Sequence, residues 1–188
     1  MRRIGVVDTT FSRVDMGRVA VETLRQHAKE AAALPRGSSS AGASDADVRR
    51  VTVPGVKDLP AAARRFFDEG CDLVIACGMV GPEDVDKVCG HEASLGLMWL
   101  RTHFGRPLLE VFIHMDEPFE HDALGKVVKR PQTPEEIARY EKELRHLSIE
   151  RTREHAINAY WMLYEPHKLV ELAGTGQRQG YDDAGPIG

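Results

Sequence analysis

The sequence predicts an α/β fold, a three-layer open sandwich with a four-stranded parallel sheet and helices on both of its faces. The first observation is a set of short apolar runs of strand length, at residues 4–7, 48–53, 73–77 and 108–114. The second is that segments with helical apolar spacing separate these runs, because strands joined by helices pair in parallel. The third is size, since 188 residues with 42% hydrophobic content can bury the core of one domain.

The first strand is predicted at residues 4–7 and is followed by a polar turn that includes Thr10 and Phe11. Apolar residues then recur at helical spacing towards Ala33, which predicts the first helix. Asp15 stands at the expected N-cap, so its carboxylate is expected to accept a hydrogen bond from the first turn of this helix.

The next segment, residues 35–47, is rich in Ser, Gly and Ala without periodicity, which predicts a flexible insertion. Residues 48–53 alternate between apolar and polar side chains, as expected for a strand near an edge of the sheet. Pro60 then stands near the start of a helix through residues 61–69, where its missing N–H costs no hydrogen bond. Gly70 is expected to end this helix.

The centre of the predicted fold is the run at residues 73–77, which is apolar without alternation, as in a strand covered on both faces. Gly78 is expected to end this strand, and the acids Glu83 and Asp84 are expected to begin the next helix. Ligands of open α/β sheets bind outside the carboxyl ends of the strands. The turn at residues 78–87 is therefore expected to border a site.

Beyond the fourth strand the chain changes character. Residues 115–134 combine acids, histidines, prolines and a basic run, and are predicted to form an irregular insertion. Residues 135–164 predict one long helix, which Pro166 ends. The tail at residues 174–188 has too few apolar residues to pack alone, so it is expected either to extend into solvent or to dock on another surface. We predict a single domain that spans the whole chain.

Composition and charge argue against several classes of protein. The chain has 25 basic and 29 acidic residues, a net charge of -4, so no nucleic acid is expected as a partner, and residues 126–130 are predicted to be a solvated basic patch. No apolar run approaches the roughly 20 residues that span a bilayer, and Arg2 and Arg3 precede only a strand-length apolar run, too short for a signal sequence. We therefore expect a cytoplasmic protein without membrane attachment.

The cysteines match no known cofactor pattern. Cys71, Cys77 and Cys89 are odd in number and spaced unlike a zinc or redox motif. They are expected to be buried, reduced thiols, with a catalytic thiol as the alternative.

Five segments in the same order resemble the archaeal-type riboflavin synthases, a family similar to lumazine synthase. The segments are VVDTTFSRVDM (6–16), VPGVKDLP (53–60), DKVCGHEASLGLM (86–98), EVFIHMDE (110–117) and GQRQGYDDAGP (176–186). The resemblance covers most of the chain, with gaps at the insertion of residues 35–47 and around residues 118–143. It implies the lumazine synthase-like version of the predicted fold, with a flavodoxin-like strand order.

The resemblance also implies a reaction. Members of the family convert two molecules of 6,7-dimethyl-8-ribityllumazine into riboflavin and 5-amino-6-(D-ribitylamino)uracil, the final step of riboflavin biosynthesis, by moving a four-carbon unit between them. Related enzymes are homopentamers with sites between neighbouring subunits, so a homopentamer is expected. No organic cofactor is expected, and weak assistance by a divalent cation such as Mg²⁺ is left open. The alternatives are lumazine synthase and a non-catalytic flavin- or lumazine-binding pentamer.

The substrate is a flat ring with a polyhydroxyl chain, which needs an apolar or aromatic face and converging hydrogen-bonding groups. By the resemblance, Phe11 is expected to stack on the ring, with core packing as the alternative. Asp58, in the PGVKDLP turn, is expected to hold ribityl hydroxyls, with a solvated acid at a helix start as the alternative. Gly55 and Gly78 would let backbone amides approach the ligand. The remaining binding candidates are Thr10, Val56, Met79, Asp86 and Lys87.

Transfer of the four-carbon unit requires removal of a proton from a ring-activated methyl group. His114, at the end of the fourth strand, and His91, in the third helix, are candidate acids or bases because imidazole titrates near neutral pH. His114 is the better placed of the two, and a structural role is the alternative for His91. Lys57 is a candidate for stabilising a ring anion, with a free surface amine as the alternative.

Two features limit the other interpretations. Val85 stands where lumazine synthases carry the histidine of a G-x-T-x-H turn, and the acidic turn GPEDVD lacks groups for a phosphorylated substrate, so lumazine synthase activity is disfavoured. The acids and histidines of residues 114–122 could suggest a metal site, but a solvated acidic stretch is expected there. His91 and Glu92 do not continue to HExxH, since Leu95 occupies the last position. No metal ligand is assigned.

Overall fold

The computed structural model describes residues 2–33 and 47–187. The insertion expected at residues 35–47 therefore lies outside the described residues, apart from Asp47, which begins a strand.

The predicted sheet is confirmed. Four strands run parallel in the order β2-β1-β3-β4, which is the flavodoxin-like order. They are β1 (Arg3–Thr9), β2 (Asp47–Val53), β3 (Leu73–Val80) and β4 (Leu108–His114). The alternating strand β2 lies at one edge, as predicted, and β4 lies at the other.

Helices connect these strands and extend beyond them. They are α1 (Met16–Ala33), α2 (Leu59–Asp68), α3 (Asp84–Phe104), α4 (Pro134–Tyr164) and α5 (Pro166–Glu171). A single 3₁₀ turn, Val56–Asp58, precedes α2. No helix in the described part of the chain is long and apolar enough to cross a membrane.

Two hydrophobic clusters, one on each face of the sheet, form the core. Side chains of α1 and α4 pack with Ile4, Val6 and Ile75 on one face. Side chains of α2 and α3 pack with Val7 and Val74 on the other. All eight residues of β3 are buried, which explains why its apolar run shows no alternation.

Strand β3 is longer than predicted. We expected Gly78 to end it, but the strand continues to Val80, because Gly78 still pairs with Phe112 and Val80 with His114. The turn before α3 is correspondingly short. Glu83 is the N-cap of α3. The backbone N–H of Glu83 donates a hydrogen bond to the Asp86 carboxylate at 3.4 Å.

Residues 115–134 are less irregular than predicted. They contain a two-stranded antiparallel hairpin of β5 (Glu120–His121) and β6 (Val127–Lys129). The carboxylate of Asp122 closes the hairpin by accepting the N–H groups of Leu124 and Lys126, each at 2.9 Å. Turn chemistry therefore supplies a structure that apolar periodicity did not reveal.

A buried carboxylate joins the edge strand β2 to β1 and α1. Asp8 is 3% exposed and accepts hydrogen bonds from Arg50 Nε at 2.9 Å and Nη2 at 2.6 Å, and from the Thr52 hydroxyl at 2.9 Å. Arg50 also donates to Asp15 at 2.6 Å, and Asp15 caps α1 by accepting the Arg18 N–H at 3.0 Å, as predicted. This cluster fixes the register of an edge strand that has few buried side chains of its own.

We expect Arg50→Ala to lower the free energy of unfolding by about 3 kcal/mol, because it leaves the buried Asp8 carboxylate without its cation. Arg49→Ala, on the same strand, removes an exposed ion pair with Glu69 and should cost less than about 1 kcal/mol. Urea unfolding followed by circular dichroism measures both variants. Equal losses would contradict a structural role for the Asp8–Arg50 pair.

Candidate functional site

An open cavity of about 220 Å³ lies beyond the carboxyl ends of β1, β2 and β3. This is the edge of the sheet where ligands of open α/β folds bind. Its lining consists of Phe11, Pro54, Gly55, Val56, Lys57, Met79, Val80, Gly81, Asp86 and Cys89. Six predicted site residues are thus brought together: Phe11, Gly55, Val56, Lys57, Met79 and Asp86.

The turns after β1 and β2 are held side by side at this cavity. The backbone N–H of Thr10 donates to the Val53 carbonyl at 2.8 Å, and its hydroxyl donates to the Pro54 carbonyl at 3.1 Å. Thr10 therefore positions the two turns and does not itself line the cavity. The Phe11 side chain beyond it is 53% exposed, so it is not filling the core. Its flat apolar face is free to meet a ligand.

Gly78 allows the turn after β2 to pack against β3. A Cβ on Gly78 would lie 2.9 Å from Val56 Cγ1, closer than real carbon contacts. Gly78 itself does not line the cavity, so the structure gives its missing side chain a packing role. This close approach places Val56 and Lys57 at the cavity.

Asp58 closes its own turn. Its carboxylate accepts the Gly55 N–H at 3.1 Å, three residues earlier. Asp58 is exposed but does not line the cavity, so its expected contact with ribityl hydroxyls stays a prediction.

An ion pair joins the turn to α3 beside the cavity. The Lys57 ammonium donates a short hydrogen bond to the Glu92 carboxylate. This bond raises the pKa of Lys57 and lowers the pKa of Glu92, so both groups are charged at neutral pH. The cavity therefore has a charged ion pair at its edge.

The two histidines lie apart from this cavity. His114 ends β4 and pairs with Val80, a lining residue, so its backbone is one strand away from the cavity. His91 lies on α3 and lines a second cavity of about 420 Å³, between α3 and the edge strand β4. Glu110 lies in that second cavity, where burial raises its pKa and the Ser94 hydroxyl donates to it at 2.7 Å.

Two of the acids after β4 form ion pairs with basic residues of the same chain. Asp116 is buried and pairs with Lys87 at 2.6 Å, and Glu117 pairs with Arg151 at 2.6 Å. Lys87 therefore points to Asp116 and does not line the candidate site. Within residues 2–33 and 47–187, no group of three or more His, Cys, Asp or Glu side chains could hold a metal ion.

Sequence reasoning missed Cys89 as a cavity residue. We expected three buried thiols, but Cys89 is partly exposed and lies three positions after Asp86 on the same face of α3. That helical spacing was the available signal. Cys71 and Cys77 are buried as predicted, and burial raises the pKa of both thiols, which disfavours a nucleophilic role for them.

We expect Gly78→Ala to destabilise the protein by about 1–3 kcal/mol, because the new methyl group overlaps Val56 and displaces the turn that carries Lys57. The double variant Gly78→Ala, Val56→Ala removes the overlapping carbon and should recover part of this loss. Urea unfolding of the two single variants and the double variant gives the coupling between the positions. Additive effects would contradict the close approach as the cause.

Comparison with known proteins identifies the family. Residues 2–140 match the family model described as 6,7-dimethyl-8-ribityllumazine synthase. The riboflavin synthase of Methanothermobacter thermautotrophicus is 42% identical over 188 residues, with both chains covered completely. The riboflavin synthase of Methanothermobacter marburgensis is 39% identical over the same length, again with complete coverage of both chains.

A lumazine synthase gives a shorter match. The 6,7-dimethyl-8-ribityllumazine synthase of Kineococcus radiotolerans is 36% identical over 96 residues, which is 48% of this chain and 59% of that protein. The full-length similarity is to the riboflavin synthases. Together with the parallel sheet and the cavity at its carboxyl edge, these matches show that the chain belongs to the archaeal-type riboflavin synthases of the lumazine synthase-like superfamily.

Proposed function

We propose that this protein is a riboflavin synthase that converts two molecules of 6,7-dimethyl-8-ribityllumazine into riboflavin and 5-amino-6-(D-ribitylamino)uracil. The observation that carries the proposal is the complete-length similarity to proteins named riboflavin synthase. The cavity at the carboxyl edge of the sheet supports it, because Phe11 offers an exposed aromatic face beside a fixed ammonium group. No organic cofactor enters the proposed reaction, since both reacting rings belong to the substrate.

Phe11 is proposed to stack on one lumazine ring. A planar heteroaromatic ring gains about 1–3 kcal/mol from an aromatic platform, by analogy with base stacking on protein side chains. The turn from Pro54 to Lys57 and the carboxyl end of β3 would enclose the same ring from two sides. Asp58, at the end of that turn, is proposed to exchange its bond with the Gly55 N–H for ribityl hydroxyls.

Lys57 is proposed to act as a cation and not as a base. Its hydrogen bond to Glu92 raises its pKa, so at neutral pH it has no free electron pair to accept a proton. A protonated amine beside the ring can stabilise the negative charge that develops when the methyl group loses its proton. The general base must then be another group, and His114 is our candidate because it ends β4 and pairs with Val80, which lines the cavity.

The cavity is incomplete in one copy of the chain. Its volume of about 220 Å³ is below the roughly 300–1,000 Å³ of typical small-molecule sites, and it is open to solvent. Among residues 2–33 and 47–187, nothing covers an apolar face of helix α3, and β4 is an open sheet edge. The exposed residues of that face are Val85, Val88, Leu95, Met98 and Trp99. We propose a homopentamer in which this face covers the cavity of a neighbouring copy and brings the end of β4, with His114, to it.

Lumazine synthase is the second candidate, because the matching family model bears that description. Val85 argues against it, since this exposed apolar side chain stands where lumazine synthases carry a histidine. In this structure Glu83 of the same turn pairs with Arg130 at 2.8 Å, which leaves the turn without a free cation for a phosphate group. A measurement of turnover would distinguish both enzymes from a non-catalytic lumazine-binding pentamer.

We also propose that the protein works in the cytoplasm. Its three cysteines are free thiols, two of them buried, which suits a reducing compartment.

For the proposed activity, we expect purified protein incubated with 6,7-dimethyl-8-ribityllumazine alone to form riboflavin, measured by its absorbance and yellow fluorescence. Phe11→Ala should raise KM about tenfold or more with a smaller effect on kcat, because it removes stacking on the ring. Leu124→Ala, at an almost fully exposed apolar residue of the hairpin, is the matched control and should behave as wild type. Absence of riboflavin from the wild-type reaction rejects the proposal.

For the proposed assembly, we expect Leu95→Asp to convert the oligomer into smaller species, because it buries a charge in the apolar face of α3. Val170→Asp, at an exposed apolar residue of α5, is the control and should leave the assembly intact. Light scattering coupled to size-exclusion chromatography gives the mass of each protein. A monomeric wild-type enzyme with full activity would rule out sites between subunits.

A further inference from the structure

The second cavity, of about 420 Å³ between α3 and β4, contains a carboxyl group without a role in the reaction so far. Glu110 lies in this cavity and is partly buried. Its carboxylate accepts a hydrogen bond from a neutral group, the Ser94 hydroxyl, at 2.7 Å. Asp116 and Glu117, the acids that follow β4, pair instead with a lysine and an arginine. Glu110 is therefore held in place by a partner that does not neutralise it.

Glu110 and the candidate base His114 lie on the same face of β4. Side chains alternate along a strand, so positions 110, 112 and 114 share one face, and Phe112 packs from it with the side chains of α2 and α3. Four positions span about 13 Å along a strand. Two groups at this separation on one face can act on different atoms of the reacting rings.

The second cavity lies against the face of α3 that we propose covers the neighbouring copy. Leu95 and Met98 belong to that exposed apolar face, and both also line the second cavity. In the proposed pentamer, the contact that brings His114 to the cavity of the neighbouring copy therefore brings Glu110 to the same interface.

The surroundings of Glu110 suit a group that donates a proton. Burial, the largest effect, raises its pKa above the ordinary 4.5, whereas the Ser94 hydrogen bond and the charges of His114 and Arg101 act in the opposite direction. His91 of α3 also lines the cavity. A carboxyl group that burial keeps protonated can serve as a general acid. Because a positive charge on His114 favours the Glu110 carboxylate, proton uptake by His114 makes Glu110 a stronger acid.

We propose that Glu110 is the general acid of the riboflavin synthase reaction and that Ser94 positions it. The inference rests on the proposed function, because the acid acts on the lumazine that gives up its four carbons. A bond between a carbon of that unit and a ring nitrogen breaks, the electron pair stays on the nitrogen, and the nitrogen takes the proton of the Glu110 carboxyl group. Water then returns a proton to the carboxylate. One lumazine loses as many methyl protons as the nitrogens of the other gain, so no oxidant or reductant is needed.

The test compares riboflavin formation by wild type and Glu110→Gln across a range of pH. Glutamine keeps an oxygen that accepts the Ser94 hydroxyl but is not an acid. We expect kcat to fall about 100-fold with little change in KM, as for loss of general acid catalysis. Wild-type kcat should fall at high pH as Glu110 loses its proton, and this alkaline limb should be absent from the variant. Glu22→Gln, at an exposed position of α1 on the other face of the sheet, is the matched control and should behave as wild type.

Two further measurements separate an acid from a structural residue. Ser94→Ala removes a hydrogen bond that lowers the pKa of Glu110, so the alkaline limb should move to higher pH. Exchange of the lumazine methyl protons in deuterium oxide, followed by NMR, reports the base step alone. Glu110→Gln should retain the exchange that the protein catalyses, whereas a variant with a collapsed site should lose it.

An unchanged kcat in Glu110→Gln, or an alkaline limb that persists in this variant, would overturn the proposal. If Glu110→Gln does not fold, Ser94→Ala decides the question, since an alkaline limb at the wild-type position would then contradict the role of Glu110. Wild-type protein that forms no riboflavin would reject the proposed function, and this inference with it.

Discussion

The buried Asp8 carboxylate and its pairing with Arg50 underlie the geometry of the candidate site. Strand β2 lies at the edge of the sheet with few buried side chains, so apolar packing alone holds it weakly. The ion pair, supported by Thr52, fixes β2 beside β1 with Thr9 opposite Val53. Since one turn of the cavity follows each strand, a register shift of one residue would separate Phe11 from the turn that carries Lys57.

The ion pairs near the cavity determine the charge states of its two lysines. The Lys57–Glu92 bond keeps the lysine protonated, which favours stabilisation of negative charge over proton removal. The other nearby cation, Lys87, is neutralised by the buried Asp116. Both lysines are therefore charged and paired, so in the proposed reaction another group takes the proton. This arrangement favours a site completed by a second copy of the chain.

Much of the fold could be predicted from local patterns, but the site only in part. Strand β4 was predicted at its observed bounds, because its apolar residues are flanked by Gly105 and Pro107 on one side and polar residues on the other. The predicted end of β3 was wrong, because a glycine can continue a strand. At Gly78, Val56 of a neighbouring turn packs in the space that a side chain would otherwise occupy. The role of Glu117 was out of reach, because its partners Arg151 and Tyr181 are 34 and 64 residues away in sequence.

The same long-range cluster explains how a polar tail can be ordered at all. Residues 176–187 bury little apolar surface, so their docking on the body of the protein depends on charge-assisted hydrogen bonds. Burial alone would raise the pKa of Glu117, but bonds from Arg151, Tyr181 and the His114 N–H hold it below its ordinary value of 4.5. A carboxyl whose pKa is lowered by folding contributes stability above its ordinary pKa, and that contribution is lost as the pH falls through the lowered value. At neutral pH both Glu117 and Arg151 are charged, so residues 176–187 stay bonded to the end of β4 through the Tyr181 hydroxyl and the His114 N–H.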